Sequence, residues 1–414
     1  MKVNDIISWF IIICLSFSYF IYSSLIKINY YFAIGVGVFL VVIWLLLKKN
    51  VENTYLNIEK FKKSFYILLI PEILIVLYSV FLILPSGNDE LLKKYISRAC
   101  LFLVTALEGV AISRLYKDKA IDIIFKSALL NYIIYIVCFI KTNGFISLFI
   151  NTYKTIFEDV STKSILEAHE VTFVFGLLFL YYLFTNHRKN KNKMIICLIM
   201  SLLGFKRIML LAILIAILLK FVLNMAAKRV SIKNLSNKIT FGITILILLI
   251  SFLWLHIISD EKINQISEKN NINFMGRLQI YELIRDEYNL DIFFLGRGLG
   301  FISYWGEINV YYTNGVALHS GIIQMYVENG FIVFTLYLIN KFYFNYRRIK
   351  NVNKKNADIY FCIMVYIIIC WFTDNVATYF NFLVASNVVL ISLYNSFDIE
   401  KGEILDDQKQ KTIK

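Results

Sequence analysis

Long apolar runs recur along this chain, and they constrain its fold more than any other feature of the sequence. Most are roughly 17–22 residues long, the length at which an α-helix crosses the hydrocarbon core of a bilayer. Hydrocarbon offers no partner for backbone N–H and C=O groups, so such runs must form helices. The composition agrees, because 58% of the 414 residues are hydrophobic and 17% are charged. The sequence therefore predicts an all-α polytopic integral membrane protein whose single transmembrane domain covers residues 1–414.

About twelve of these runs are predicted to be transmembrane helices. The first begins directly after Met1–Asp5 and has no small-residue cleavage site behind it, so we interpret it as a span and not as a signal peptide. The predicted spans lie near residues 6–26, 30–47, 64–84, 95–113, 120–140, 169–185, 194–205, 208–226, 240–258, 320–340, 358–373 and 377–395.

The net charge of +14 comes from short basic clusters between the apolar runs and not from one basic domain. This distribution argues against nucleic acid as a partner and follows the positive-inside rule of membrane proteins. When both termini are placed in the cytoplasm, the cytoplasmic segments hold 27 of the 43 Lys and Arg residues and the outer segments hold 13. The clusters Arg188–Lys193 and Arg347–Lys355 are the strongest markers. Both termini are therefore predicted to be cytoplasmic.

One outer segment, residues 259–319 between spans nine and ten, is long enough to carry structure of its own. Within it, Met275–Tyr288 is predicted to be an amphipathic helix. The glycine-rich turn Gly296–Gly300 follows, and the segment ends at His319, at the mouth of span ten. We expect a large extracytoplasmic loop here. The apolar residues at helical spacing in its helix are Leu278, Tyr281, Ile284 and Tyr288.

Lys206 and Arg207 form a pair of cations between spans seven and eight. The hairpin 194–227 has 34 residues, or roughly 51 Å of helix, whereas two crossings need about 60 Å. The turn is therefore predicted to stop below the outer surface and to hold both cations in a recess. Cations at that depth are costly and tend to mark function, and these would suit a lipid-linked phosphate. The alternative is that both side chains reach the headgroups as simple anchors.

Two further segments of the outer loop carry candidate anion-binding groups. Arg277 begins the loop helix, where backbone N–H groups also favour anions, but a solvated surface charge is an equally good interpretation. Arg297 and Gly298 belong to the glycine-rich turn, which has the composition of a phosphate-binding loop although no strand is predicted before it. A tight turn that docks the loop onto the spans is the favoured interpretation of that segment.

His319 is the candidate general base, since an imidazole takes or gives a proton near neutral pH. A histidine at a helix end is often a cap or an interface residue, which is the alternative here. Glu328 lies roughly two turns into span ten, where an acid requires a partner or a wet cavity. Arg98, near the outer end of span four, is a candidate to face the same outer cavity as Arg207.

Three charged residues are expected to share one depth near the cytoplasmic side of the membrane. Glu72, Glu108 and Lys126 lie in spans three, four and five, at similar distances from the cytoplasmic ends of those spans. An unpaired charge within a membrane has a high free-energy cost, so we predict that Lys126 pairs with one or both acids. A structural role is favoured over a catalytic one.

Three short segments within residues 194–340 occur in an order and topology similar to those of a known family. They are Gly204-Phe205-Lys206-Arg207 leading into Ile208–Leu219, Gly276-Arg277 before the loop helix, and Leu295–Gly300 followed by His319 and Glu328-Asn329-Gly330. Together with the number of spans and the late outer loop, they resemble the bacterial O-antigen and capsular polysaccharide polymerases (Wzy) and their relatives, the O-antigen ligases. One departure is His319-Ser320, where the family is expected to carry His followed by Asn.

The resemblance implies inverting glycosyl transfer on the outer face of the cell inner (plasma) membrane. A growing glycan would move from undecaprenyl diphosphate to the sugar of a fresh lipid-linked repeat unit. His319 would take the proton of the acceptor hydroxyl, and Arg207 and Arg277 would stabilise the departing diphosphate. No cofactor and no metal are implied, whereas a flippase and a chain-length regulator are implied as partners. The substrate-binding residues would be Lys206, Arg98, Arg297, Gly298 and Glu328.

Three alternatives to a polymerase remain open. An O-antigen ligase would hand the glycan to lipid A–core by the same chemistry. A lipid-linked oligosaccharide flippase or other transporter would be expected to carry charges spread through its spans and short outer loops, and the 61-residue segment 259–319 argues against it. A structural or sensory protein would leave the gathering of cations on one side unexplained. The polymerase is the favoured interpretation.

Overall fold

The computed structural model describes residues 3–22, 26, 28–47, 55–147, 150, 170–185, 189–228, 235–258, 277–309 and 318–395. These residues form helices joined by turns, with no strand among them, which confirms the predicted all-α class. The helices are α1 (Val3–Ser18), α2 (Tyr30–Leu47), α3 (Tyr55–Ile83), α4 (Asp89–Tyr116), α5 (Ala120–Asn143), α6 (Val171–Thr185), α7 (Lys191–Gly204), α8 (Arg207–Lys228), α9 (Leu235–Ile257), α10 (Arg277–Ile284), α11 (Phe301–Ile308), α12 (Gly321–Ile339), α13 (Asn345–Lys350), α14 (Lys354–Thr373) and α15 (Phe380–Asn395).

Within the described residues, each predicted span overlaps one of these helices. In the described part of the chain, six helical stretches are long and apolar enough to cross a membrane: Leu69–Ser86, Asp89–Asn143, Arg207–Ala226, Ser236–Ile257, Gly321–Lys350 and Lys354–Thr373. Several long apolar helices of this kind are typical of a membrane protein. Shorter apolar helices cover Ile6–Ile21, Tyr30–Leu46, Val171–Thr185 and Phe380–Tyr394. Twelve crossings remain a prediction.

The helix α14 lies at the centre of the bundle. Every residue from Asn356 to Ile368 is buried, and α14 packs against α6, α8, α12 and α15. The outward faces of peripheral helices are apolar as well, as Phe81 of α3 and Phe221 of α8 illustrate. Apolar residues both inside and outside suit helices surrounded by lipid.

The helix α12 is broken in its middle, and a segment of the outer loop docks into the break. Gly330 has φ 73° and ψ 179°, which interrupts the helix. The Gly298 N–H donates to the carbonyl of Glu328 at 2.9 Å, and the Phe331 N–H donates to the carbonyl of Phe294 at 2.8 Å. The loop therefore supplies hydrogen-bond partners that the broken helix lacks. The glycine-rich turn docks the loop onto the bundle.

Gly330→Ala is expected to destabilise the protein by about 2–4 kcal/mol. A Cβ at residue 330 would lie 2.2 Å from the carbonyl carbon of Leu295, and the positive φ disfavours any other side chain. Gly35→Ala in α2 is the matched control, because a Cβ there has no atom within 4 Å. Unfolding midpoints in detergent check the prediction. Equal midpoints for the two variants would show that the docked turn contributes no stability.

The predicted pairing of Lys126 is wrong. Glu72 instead pairs with Lys341 of the π-helical turn after α12, with Nζ 2.9 Å from Oε1. Lys126 is exposed, and its Nζ lies 5.9 Å from the centre of the Trp9 ring. Glu108 is fully buried with no hydrogen-bond partner for either carboxylate oxygen in the described structure. A shared depth does not fix the direction in which each helix presents its side chain.

Candidate functional site

A buried carboxylate, Asp374, lies where α14 ends and connects several parts of the chain. Its Oδ1 accepts hydrogen bonds from the Tyr379 hydroxyl at 2.6 Å and from the Asn375 N–H at 2.8 Å. Its Oδ2 lies 3.7 Å from Nζ of Lys206. Its backbone carbonyl accepts from the Gly321 N–H at the start of α12, at 3.2 Å. Asp374 therefore joins the ends of α12 and α14 to the turn between α7 and α8.

The turn that carries Lys206 is held against α6. A Cβ on Gly204 would lie 2.2 Å from Cγ2 of Thr172. The end of α7 therefore approaches α6 this closely only because residue 204 is glycine. Phe205 then adopts φ 38° and ends α7. Lys206 follows, with Nζ 5.9 Å from the centre of the Phe173 ring and 16% of its side chain exposed. The helix α7 has 14 residues, or roughly 21 Å, shorter than a bilayer core of about 30 Å.

Arg277 approaches the same carboxylate from the outer loop. It begins α10, and its Nη1 donates to the carbonyl of Thr373 at 3.1 Å. Thr373 is the last residue of α14, where unpaired carbonyls carry partial negative charge. The contact places a second cation beside Asp374 without pairing it directly with a carboxylate in the described structure.

His319 occupies a backbone conformation that few residues adopt. Its φ is 41°, and its carbonyl accepts a hydrogen bond from the Tyr281 hydroxyl at 3.1 Å. Its Nδ1 is buried and has no hydrogen-bond partner in the described part of the chain. Ser320 follows and caps α12 by accepting from the Ile323 N–H at 3.3 Å. The imidazole is thus held by its backbone while one ring nitrogen remains unengaged.

The amphipathic loop helix positions His319, and its predicted apolar face is confirmed. The helix α10 covers Arg277–Ile284 and is followed by a 3-10 turn, Arg285–Glu287. Residues 259–276 and 310–317 lie outside the described residues, so the predicted outer loop 259–319 stays a prediction. The four predicted apolar residues are all buried: Leu278, Tyr281, Ile284 and Tyr288.

Burial and neighbouring charges perturb the two titratable groups of the site. Burial lowers the pKa of the His319 imidazole below its ordinary value; Asp374 opposes this shift, and Arg277 and Lys206 add to it. Burial alone would raise the pKa of Asp374, but Lys206, the Tyr379 hydroxyl and His319 together hold that pKa below its ordinary value. At neutral pH the cluster thus contains a neutral imidazole, an ionised carboxylate and two cations.

The structure brings Lys206, Arg277 and His319 together, as the sequence predicts. Arg207 adjoins this cluster as the first residue of α8, and its side chain is exposed. We name the group formed by Lys206, Arg277, His319 and Asp374 the Asp374 cluster. It carries one net positive charge, since two cations face one carboxylate. Such a group can bind an anion and can accept a proton on His319.

Arg98 and Glu328 form a separate buried pair beside the Asp374 cluster. Arg98 Nε lies 3.8 Å from Glu328 Oε2, and Arg98 Nη2 contacts the carbonyl of Ala377 at 3.5 Å. Glu328 Oε1 accepts from the Gly300 N–H at 3.1 Å and from the Gln324 amide at 3.2 Å. Glu328 therefore has the partner that its depth requires. The same pair ties the glycine-rich turn to the bundle.

The two candidates within the glycine-rich turn have partners of their own. Arg297 is about half exposed, its Nη2 lies 3.4 Å from a carboxylate oxygen of Glu287, and its backbone N–H donates to the Val327 carbonyl at 2.9 Å. The Gly298 N–H donates to the carbonyl of Glu328. Both N–H groups are used for docking, so the geometry favours the docking interpretation over a phosphate loop.

Asp374 is the member of the site that the sequence interpretation missed. It is the single acidic residue between Asp358 and Asp398, and it lies in the short turn between the last two predicted spans. That position was an available signal, because an isolated acid at a span end on the same side as the cations is a natural partner for them.

Comparison of the chain with protein-family models, with curated proteins and with solved structures finds no match.

Proposed function

We propose that this protein polymerises lipid-diphosphate-linked oligosaccharide repeat units into O-antigen or capsular polysaccharide on the outer face of the inner membrane. The observation that carries the proposal is the meeting of Lys206, Arg277 and His319 around Asp374 at one end of the bundle. A lipid diphosphate leaving group requires cations near the membrane surface, and an acceptor hydroxyl requires a base. The Asp374 cluster offers both.

In the proposed step, the acceptor sugar hydroxyl attacks the anomeric carbon of the growing glycan. The bond between that carbon and the diphosphate oxygen breaks, and undecaprenyl diphosphate leaves with the electron pair. The hydroxyl proton passes to the imidazole of His319, which is partly exposed. Lys206, Arg207 and Arg277 stabilise the charge on the leaving diphosphate. Attack opposite to the leaving group inverts the anomeric configuration.

The proposed topology has twelve crossings, both termini in the cytoplasm and the Asp374 cluster outside. The excess of Lys and Arg in the segments assigned to the cytoplasm supports it. Arg347 and Arg348 lie in α13, beyond the end of α12 that is opposite to His319. These basic residues and the Asp374 cluster therefore belong to opposite faces of the membrane in this proposal.

A flippase is the second candidate, and buried charge supports it. Besides the Asp374 cluster, the bundle holds the pairs Arg98–Glu328 and Glu72–Lys341 and the isolated acid Glu108. Charges spread through the helices are a feature expected of a transporter for a charged lipid-linked substrate. The gathering of cations and an unengaged imidazole at one end favours the polymerase.

Deletion of the gene separates these candidates. For a polymerase, single repeat units are expected on the surface lipid without a polymer ladder. For a flippase, lipid-linked units should accumulate on the cytoplasmic side of the membrane. For a ligase, finished polymer should remain on undecaprenyl diphosphate. Complementation with Arg277→Ala should reproduce the single-unit phenotype with the protein still inserted. A normal ladder in the deletion strain would eliminate the polymerase.

The pH profile of transfer is expected to depend on the charges around His319. The lowered pKa keeps the imidazole neutral at mildly acidic pH, so activity should fall only below about pH 6.5, the ordinary value. Asp374→Asn removes the charge that raises this pKa, so the acid limb of kcat/KM should move to lower pH. Lys206→Met removes a charge that lowers the pKa, so the limb should move to higher pH.

Rates of the purified protein between about pH 4.5 and 8, a range that includes the ordinary histidine value of about 6.5, check both directions. Glu307→Gln is the control, because Glu307 is exposed and pairs with Lys94 outside the Asp374 cluster. Shifts of the same sign in the Asp374→Asn and Lys206→Met variants would contradict the assignment of His319 as the titrating base.

A further inference from the structure

An open groove of about 750 Å³ lies between α3 and α12 on the periphery of the bundle. Most of its wall is aliphatic, with Leu74 and Leu336 among the lining residues, and both of these side chains are more than half exposed. Polar side chains line it as well: Asn340 directly follows the last residue of α12, and Arg348 lies in α13. An apolar channel with a cation at one end fits an amphiphile with a negative headgroup.

The length of the groove matches one leaflet of a bilayer. Its lining residues on α3 extend from Ile67 to Tyr78, which corresponds to roughly 17 Å of helix. Half of a hydrocarbon core is about 15 Å thick. The groove therefore accommodates the acyl chain of a lipid in one leaflet.

The charged end of the groove lies at the opposite face of the bundle from the Asp374 cluster. His319 lies two residues before the start of α12 at Gly321, whereas Arg348 lies 27 residues after Gly321, which would be roughly 40 Å of unbroken helix. That path is longer than a hydrocarbon core of about 30 Å, so with His319 at one membrane surface Arg348 can reach the headgroups of the opposite leaflet. A lipid whose diphosphate is bound at the Asp374 cluster cannot also place its phosphates on Arg348, so the groove would hold a separate lipid molecule.

The guanidinium of Arg348 is oriented by neighbouring side chains and is accessible to a lipid headgroup. Its Nη1 donates to the side-chain oxygens of Asn345 at 3.0 Å and Asn340 at 3.4 Å, which fix the guanidinium plane. The other guanidinium nitrogens have no hydrogen-bond partner within the described structure, and the side chain is exposed. A guanidinium binds phosphate through two parallel N–H groups. Arg347 and Lys350 belong to the same short helix, but neither lines the groove.

We propose that this groove is a binding site for an anionic phospholipid of the leaflet opposite to the Asp374 cluster, with the phosphate on Arg348 and one acyl chain between α3 and α12. Basic pockets between transmembrane helices on the cytoplasmic side bind anionic headgroups in this way. The site joins α3 to α12, which carries Glu328 and follows His319, so its lipid stabilises the scaffold of the Asp374 cluster. The proposal does not depend on which reaction that cluster performs.

Native mass spectrometry of the delipidated, full-length protein with equal amounts of phosphatidylglycerol and phosphatidylcholine tests the site. One phosphatidylglycerol should be retained in preference to phosphatidylcholine. Arg348→Gln should reduce that preference about tenfold, whereas Arg347→Gln, one residue away, should keep it. Leu74→Trp and Leu336→Trp should each fill the groove and abolish retention, whereas Leu211→Trp, on the exposed surface of α8, should bind as the wild type does.

Equal retention of the two lipids by the wild type would overturn the proposal, as would an unchanged preference in Arg348→Gln. Equal losses in the two arginine variants would assign the effect to a diffuse basic surface and would also overturn it. Retention of phosphatidylglycerol by both groove-filling variants would exclude the groove as the lipid-binding site. Thermal midpoints of each variant in detergent identify any that fail to fold, and glycan synthesis is not needed for any of these measurements.

Discussion

His319→Asn is expected to reduce glycan polymerisation by about 10²–10⁴-fold while the protein remains folded. The imidazole is the proposed base, and loss of a general base removes a contribution of that size. Asparagine is a better replacement than alanine, because His319 has φ 41° and asparagine tolerates this left-handed conformation. The variant therefore removes the base without adding backbone strain. The measurement is the initial rate of chain extension by purified protein in liposomes.

His256→Asn is the matched control for this experiment. His256 is an exposed histidine in the last turn of α9 and lies outside the Asp374 cluster. Its replacement should leave the rate within about twofold of the wild type. Surface substitutions rarely change the free energy of unfolding by more than about 0.5 kcal/mol, so the variant should stay folded. Equal rates for the His319 variant and the control would eliminate His319 as the base.

Glu328→Ala should produce a much larger loss of stability than a change to an exposed ion pair. The substitution leaves Arg98 buried without its partner and removes the acceptor of the Gly300 N–H, and breaking such a pair costs about 3–5 kcal/mol. The double variant Arg98→Met, Glu328→Gln should recover most of this loss, because it removes both charges and keeps an acceptor for Gly300. The free energy of unfolding in mixed micelles is the quantity to measure.

The exposed pair Lys94–Glu307 provides the comparison for that experiment. Glu307→Ala should cost less than about 1 kcal/mol, since exposed ion pairs contribute little. If Glu328→Ala costs no more than Glu307→Ala, the Arg98–Glu328 pair does not hold the outer loop on the bundle.

Hydrophobic periodicity and run length predict the helices of this protein well, and they also predict one face of the loop helix. Twelve apolar runs all correspond to helices, because nothing but a helix satisfies the backbone of an apolar segment in lipid. Tyr281 and Ile284 are buried as their spacing indicates. Lys206, Arg277 and His319 are also found together, since each lies at the same end of its predicted span or loop.

Side-chain partners between helices are not predictable from the same pattern. Lys341 pairs with Glu72, while Lys126 at a similar depth is exposed, because depth leaves the rotation of each helix undetermined. The break in α12 at Gly330 is stabilised by hydrogen bonds with the glycine-rich turn. These partners are distant in sequence and meet only in the folded protein. The position of Asp374 at a span end indicates a cationic partner, but its pairing with Lys206 depends on how the end of α14 meets the turn between α7 and α8.

The most direct test of the proposed function uses purified protein in liposomes that contain one defined undecaprenyl-diphosphate-linked repeat unit. The wild type is expected to produce a ladder of longer lipid-linked glycans and to release one undecaprenyl diphosphate for each unit added. Proteoliposomes with His319→Asn should show neither product. Movement of intact lipid-linked units across the bilayer without a ladder or released undecaprenyl diphosphate would contradict the polymerase and identify a flippase.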